Sequence, residues 1–268
     1  MDWKTVLTGA AVLACSAAIL TGCGGTEKAP STDNAAEMGK IIVGLDDNFP
    51  PMGFKDENNE IVGFDVDLAK EAAKRLGREV EFKAIDWSSK EAELKSGRVQ
   101  VLWNGLDITE KRKENMLFSN PYMDNHQIIF VKKGNTAVTD EKSLAGKTVG
   151  TQSAGTAEEY MDASDFYKKE VKEVKKYPDY VAAFMDLENG RLDAVIGDEI
   201  VGRYYMSKHP DTLDALDVVV GPVSEFGIAF AKDNTKLRDE VQKVLDEMKA
   251  DGTIAKISTK WFTKDITK

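Results

Sequence analysis

A few side chains in this sequence have the type and setting to meet a carboxylate or an ammonium group. Arg112 stands three residues after Thr109 in the run Asp107-Ile108-Thr109-Glu110-Lys111-Arg112. Thr109 reads as a helix N-cap, which puts Arg112 in the first turn, where the helix dipole disfavours a cation. A guanidinium there offers a planar fork for a carboxylate. A solvated Arg in the charged run 110–114 would cost only about a few tenths of a kcal/mol, so spacing alone leaves both readings open. Thr156-Ala157-Glu158-Glu159 has the pattern of a capping box directly after a loop from Gly150 to Gly155. The free N–H groups of such a terminus attract anions, although simple capping is sufficient to explain the pattern. Asp198 follows the apolar segment 194–197 and could hold an ammonium group or cap the next helix. Phe49 and Trp87, flanked by Asp46 and Asp86, read as loop aromatics that either pack the body or flank a ligand.

Covalent chemistry finds little support. There is no Gly-rich phosphate loop and no His-Glu-x-x-His pair, and Thr151 stands where a nucleophile elbow around Ser153 would need Gly. The two histidines, His126 and His209, are isolated and read as surface or structural residues. No catalytic residue, metal or cofactor is assigned.

The elements that must position these groups alternate. Segment 40–45 reads as a buried strand, and 65–76 as a helix with Val66, Ala69, Ala73 and Leu76 at helical spacing before a Gly77 cap. Strand-like 80–84, helical 89–94 and strand-like 98–103 follow, and the pattern starts again at 147–152. Such alternation predicts an α/β fold with largely parallel sheets. A last long helix is expected after Asn234 as N-cap, with Leu237, Val241, Val244, Leu245 and Met248 as its core face and Gly252 as its stop. Segment 94–101 echoes 187–194, each running from a helix through Gly97 or Gly190 into a strand. One copy per half suits two similar lobes across a cleft, where ligands gather at the carboxyl ends of strands.

The 268 residues suffice for one large domain or two small ones. Hydrophobic residues at 42% and charged ones at 31%, with 7 Pro, describe a chain that folds. A net charge of -10, spread along the chain, argues against a nucleic-acid partner. Both cysteines lie near the N-terminus, Cys15 within an apolar run and Cys23 just after it, which excludes disulfide scaffolds, Cys-rich zinc sites and a cysteine nucleophile in the body. Lys4 precedes that run, 6–20, which is too short to span a membrane comfortably and reads as a secretory signal. Leu20-Thr21-Gly22-Cys23 resembles the lipobox of bacterial lipoproteins, which implies cleavage after residue 22 and a lipid on Cys23. Residues 23–38, rich in small and polar types, read as a flexible tether.

Several stretches together resemble the polar amino-acid family of extracytoplasmic solute-binding proteins of ABC transporters. They are Val43-Gly44 through Asp46, Phe49-Pro50-Pro51, Gly63-Phe64-Asp65-Val66-Asp67-Leu68-Ala69, Ile108-Thr109-Glu110-Lys111-Arg112 and Phe118-Ser119-Asn120-Pro121-Tyr122. The likeness continues through Leu144-Ala145-Gly146-Lys147-Thr148-Val149-Gly150, Gly190-Arg191-Leu192-Asp193-Ala194, Asp198 and Asp251-Gly252-Thr253, covering 40–262. The resemblance implies a two-lobed binder that closes on its ligand. Its first lobe would be discontinuous, residues 39–125 and 227–268, its second 126–226, with crossover strands near 125–132 and 225–231. By the same resemblance Arg112 clamps the ligand's α-carboxylate, Thr156 and its helix terminus add hydrogen bonds to it, and Asp198 takes the α-ammonium. Phe49 and Trp87 would flank the ligand side chain, Asp46 would meet a side-chain nitrogen, and Asn104 and Gly105 would line the same loop. The implied partners are an amino acid, a membrane permease and, through the lipid, the membrane; the binder would be a monomer.

Three positions depart from the family pattern: Asp107 stands for the usual Ser or Thr, Gln100 for Asp and Ala154 for Gly. Asp107 adds a second carboxylate near the expected ammonium site, which disfavours acidic ligands and points to a cationic or neutral polar amino acid. Dehydratases similar in fold keep an enzymatic alternative open, with Asp107 as its acid. An input domain of a sensor, acting through a separate partner, is a third.

Overall fold

The computed structural model describes residues 39–268. The expected export signal, the tether and Cys23 lie outside the described residues. In chain order the elements are β1 (Lys40–Leu45), β2 (Asn48–Phe49), β3 (Gly53–Lys55), β4 (Ile61–Val62), α1 (Phe64–Arg75), β5 (Glu79–Ala84), α2 (Lys90–Lys95) and β6 (Val101–Asp107). Then come α3 (Glu110–Lys113), β7 (Met116–Phe118), β8 (Met123–Asn125), β9 (Gln127–Lys132), β10 (Thr148–Gln152), α4 (Thr156–Ala163), α5 (Asp165–Lys169) and β11 (Glu173–Tyr177). The last are α6 (Tyr180–Glu188), β12 (Ala194–Asp198), α7 (Glu199–Lys208), β13 (Leu213–Val219), β14 (Ser224–Ala231), α8 (Thr235–Ala250) and α9 (Thr253–Phe262).

Two mixed sheets organise the molecule, in the orders β5-β1-β6-β14-β7, with β8 on β14, and β11-β10-β12-β9-β13. In each, one strand of the opening strand-helix unit pairs in parallel with two others: β1 with β5 and β6, β10 with β11 and β12. The antiparallel members are the returning strands β14 and β9 with their neighbours. The repeated segment identified in the sequence occupies equivalent places, since Gly97 (φ 73°) and Gly190 (φ 71°) each turn a helix end toward β6 or β12. As a result Asp107 and Asp198 are the last residues of corresponding strands.

The chain passes between sheets at His126, with β8 and β9 on either side, and again between β13 and β14. Ser224, Glu225 and Phe226, grouped with the second lobe by the sequence reading, pair with Asn125, Asp124 and Met123 in the first sheet. Phe226 is fully buried there beside Tyr122, so packing draws the whole of β14 to that side.

Local signals and packing agree over the helices. In α1, Phe64, Val66, Leu68, Ala69, Ala72 and Ala73 are buried, with Asp65 and Asp67 at its start and Lys74 and Arg75 at its end, as the dipole favours. In α8, Asn234 accepts a hydrogen bond from the Leu237 N–H at 3.2 Å, and the five expected apolar residues are buried. Strand β6 begins three residues later than its pattern suggested and runs on to Asp107. Asn104 and Gly105 therefore belong to a strand and not to a loop. Gly105 has φ +55° at a shift in the β6–β14 register, a bulge that re-aims the strand end. Likewise Phe49 lies in the short strand β2 and Trp87 in a single 3₁₀ turn, 87–89, capped by Asp86.

Candidate functional site

Asp107 and Asp198 end neighbouring strands of opposite sheets, and both are buried. Asp107 accepts from Ser224 Oγ (2.6 Å), Thr156 Oγ1 (2.5 Å) and Asn125 Nδ2 (2.9 Å), with Gln127 Nε2 at 3.5 Å. Asp198 accepts from the same two amides, Gln127 Nε2 at 2.8 Å and Asn125 Nδ2 in a short contact. The side chain of Asp198 caps nothing and points into the cleft. Burial raises both carboxyls above their usual range. The Arg112 charge and the hydroxyl donors partly oppose this at Asp107, and the Asp107 charge adds to it at Asp198, which is pushed up to about 7. A pair this close cannot stay fully ionised without a cation.

Arg112 is 2% exposed, so it is not the solvated surface charge that its spacing also allowed. Thr109 caps α3 as expected, its Oγ1 accepting from the Arg112 N–H at 3.2 Å. The guanidinium donates to Asp107 O (3.0 Å) and, across the cleft, to Glu159 Oε1 (3.0 Å), while its buried Nε–H has no partner among the described residues. The capping box is not formed. Gly155 is the N-cap of α4 and Thr156 its first helical residue, which frees the Thr156 hydroxyl for Asp107 and leaves Glu158 to accept from the Ala154 N–H. Glu159 turns to Arg112 instead.

On the far side, Asp46 is buried and accepts from Asn48 N (2.9 Å) and from Gln152 Nε2 of the other sheet (2.7 Å). Desolvation pushes its pKa up to about 7 against the help of the Asn48 N–H. Asn104 Oδ1 holds the Asp46 N–H at 3.0 Å, and the Gly105 N–H is held by Asp65 Oδ2 at 2.7 Å. Phe49 packs on Tyr180 with ring centroids 6.0 Å apart. Between Phe49, Trp87, Asp107, Arg112, Thr156 and Asp198 remains a cavity of about 10 Å³, room for one water. Ligand pockets occupy hundreds of Å³, so the lobes must part to admit one. Beyond Asp46 a wider opening of about 470 Å³ is lined by Asp46, Asp47, Asp86, Trp87 and Asp179.

Seven of the nine expected ligand-binding residues line one cavity, and the other two lie behind it. Phe49, Trp87, Gly105, Asp107, Arg112, Thr156 and Asp198 line the cavity, and Asp46 and Asn104 support it through Gln152 and the Asp46 backbone. Of the other departures, Gln100 is structural: its Oε1 accepts from the Ile42 N–H at 3.0 Å. Sequence reasoning missed Lys90, Asn125, Gln127, Gln152, Glu159, Tyr180 and Ser224. Three of these had a signal: Asn125 and Gln127 flank the crossover at alternate positions, and alternate residues of an extended chain share a face. Gln152 ended a strand of the second half and could have been found by the rule that pointed to Asp198.

The model of the bacterial extracellular solute-binding proteins, family 3, matches residues 41–264. The L-cystine-binding protein TcyJ of Escherichia coli (strain K12) is 34% identical over 238 residues, 87% of this chain and 86% of that protein. The arginine-binding extracellular protein ArtP of Bacillus subtilis is 35% identical over 258 residues, 94% of this chain and 96% of that protein. Among solved structures, an ancestral arginine-binding protein bound to arginine superposes with a TM-score of 0.79 at 41% identity, covering 84% of this chain and 98% of its own. A substrate-binding protein of an ABC uptake transporter from Streptococcus pneumoniae, with bound histidine, gives 0.83 at 31% identity over 88% and 97%.

Proposed function

This chain belongs to the bacterial extracellular solute-binding proteins of family 3, and from that premise we propose that it captures a polar or cationic L-amino acid outside the cytoplasmic membrane and delivers it to an ABC transporter permease. The observation that carries this reading is the meeting, around one interlobe cavity, of a buried guanidinium with a free Nε–H and two buried carboxylates. That is the charge pattern of an α-amino acid's head group in mirror image. Arg112 takes the α-carboxylate, with Thr156 and the first turn of α4. Asp198 and Asp107 take the α-ammonium, Phe49 and Trp87 flank the side chain, and Asn104 and Gly105 shape the wall. Asp46 faces a side-chain nitrogen, and the acidic opening behind it favours a cationic or neutral polar side chain over an acidic one.

The mechanism is binding with closure. A ligand touching Arg112 in one lobe and Asp198 in the other stabilises the closed arrangement by its differential affinity. No covalent step is needed, and the relatives compared above are named as binding proteins. Asp107, the acid a catalytic reading would recruit, is occupied by four donor groups. Lipid attachment at Cys23, residues 23–38 as a tether and a monomeric state complete the proposal, supported by the lipobox-like Leu20-Thr21-Gly22-Cys23.

The test is a thermal-shift panel of the twenty common amino acids plus ornithine and cystine on residues 39–268, unfolded and refolded to strip carried-over ligand. Ligand at 1,000 times Kd should add about 4 kcal/mol, a shift on the order of 10 °C. A shift confined to one or a few polar or cationic amino acids supports the reading. A flat panel from well-folded protein overturns it and directs attention to turnover of prephenate or arogenate.

A further inference from the structure

The cleft holds a second cation that the functional reading does not use. Lys90 opens α2 and is 3% exposed, so its ammonium group is out of water. Its Nζ donates to the carbonyl of Ala154 in the other lobe at 2.8 Å and to Trp87 O at 3.4 Å, and it stands 5.2 Å from the centre of the Trp87 ring. Among the described residues no carboxylate oxygen comes within 4.0 Å of it. The acids on the facing helix are engaged elsewhere, Glu158 with Lys176 and the Ala154 N–H, Glu159 with Arg112. A buried ammonium with only carbonyl acceptors is costly to keep, because its desolvation is not offset by an anion.

Arg112 converges on the same point, its Nη2 lying 3.4 Å from Ala154 O. Ala154 has φ +56°, left-handed backbone that a residue with a Cβ adopts at a cost, and that conformation aims its carbonyl between the two cations. One carbonyl oxygen thus stands between a guanidinium and an ammonium, with the buried Nε–H of Arg112 unpartnered beside them. A carboxylate, with two oxygens and a full negative charge, would complete this arrangement where the carbonyl only partly does.

We propose that Lys90 is a specificity-determining residue of the cleft, the second cation of the carboxylate seat, which leaves Ala154 to join Arg112 on the ligand's carboxylate when the lobes close on it. The inference rests on the amino-acid reading above and deepens it: recognition of the carboxylate by two cations makes a free carboxylate a strict requirement, so esters, amides and the corresponding amines are rejected.

Calorimetric titration of matched pairs tests this: L-arginine against L-argininamide, and L-histidine against L-histidinamide. Should another amino acid bind more tightly in the panel, its primary amide forms the pair. Lys90→Met is expected to weaken the amino acid at least tenfold and its amide less than threefold, and Lys90→Arg to restore the amino acid to within about threefold of wild type. An equal loss for acid and amide, or no loss for either, overturns the inference while leaving amino-acid binding intact. A wild type that binds none of the amino acids overturns the functional reading and this inference with it.

A pH series on wild type and Lys90→Arg keeps the question open to decision even if Lys90→Met folds poorly. The groups facing the ammonium are Arg112 from α3, Glu91 from its own helix, and Glu158 and Glu159 from α4; burial first and then Arg112 bring its pKa down to about 8. Since an anion favours the charged form, the Lys90 contribution to wild-type affinity should be full below about pH 8 and fall above it, and Lys90→Arg should lose that fall. Superimposable profiles overturn the inference.

Discussion

Thr156 Oγ1 donates to Asp107 Oδ2 at 2.5 Å across the interlobe cleft. One lobe supplies the hydroxyl and the other the carboxylate, so in this closed arrangement two residues of the proposed binding site satisfy one another. An amino acid that enters must replace such contacts with its own, and only the difference between the two sets contributes to affinity.

The guanidinium of Arg112 is the group with most to lose. Arg112→Ala should weaken amino-acid binding by roughly 2–5 kcal/mol, the cost of leaving a desolvated carboxylate unpaired. At micromolar ligand, calorimetry should then detect no binding. Affinity retained within about threefold would remove Arg112 from the proposed site.

Binding should depend on the proton carried by the acid pair. Burial and mutual repulsion hold Asp198 at about 7, while an ammonium ligand requires the ionised form. Affinity should therefore rise with pH, roughly tenfold per unit up to about 7 for one proton released. Asp107→Ser, which removes the neighbouring charge, should move this rise to lower pH. A flat profile between pH 5 and 7 in the wild type would show that the pair is not where the ammonium sits.

Stability without added ligand should follow the opposite trend. Asp46, Asp65 and Asp198 have folded pKa values of about 7 against a reference of 3.8, with burial as the first cause in each. For an acid whose pKa is raised by folding, the stabilisation is complete below the unfolded pKa and is lost as pH rises through the folded one. Tm should accordingly fall between pH 5 and pH 8. Asp65→Asn keeps an acceptor for the Gly105 N–H and the Tyr122 hydroxyl and should flatten part of that fall. A Tm that climbs from pH 5 to 8 would contradict the burial of these acids.

Gly105→Ala tests the bulge that aims Asp107. A Cβ there would sit 2.8 Å from Phe49 Cε1, and φ +55° is strained for any side chain. A destabilisation of about 2–4 kcal/mol is expected from backbone and contact together, or roughly 2–4 °C in Tm per kcal/mol for a chain of this size. Weaker ligand binding through the displaced Phe49 should accompany it. An unchanged melting curve would mean that β6 accommodates the methyl without the clash.

Much of this molecule is legible along the chain because the signals are local. The apolar face of α8, its Asn234 cap and its Gly252 stop are each decided within a few residues, and the order of strands and helices follows from periodicity. The paired Gly97 and Gly190 junctions foretold two corresponding halves for the same reason. Local spacing was less reliable where a tertiary contact competes with it. The Thr156 pattern reads as a capping box, but the hydroxyl finds a buried carboxylate in the other lobe and the helix starts one residue earlier than that box requires. Strand β6 was expected over 98–103; pairing with β14 carries it to Asp107.

By itself the sequence determined which groups this protein has to work with: a cation after a cap, acids at strand ends, aromatics after strand-like segments, and a pattern that resembles one family of binders. The tertiary structure alone decided which of them are buried and what they face. Spacing alone left Arg112 open between a solvated charge and a carboxylate fork and drew no attention to Lys90, and both are almost wholly enclosed. Spacing reports only what happens within a turn or a strand, whereas the cost of burying a charge depends on atoms brought from distant parts of the chain. The roles proposed for Asp107, Asp198, Arg112 and Lys90 depend on that enclosure, which forms only when two sheets, each built from discontinuous or returning strands, close on one another.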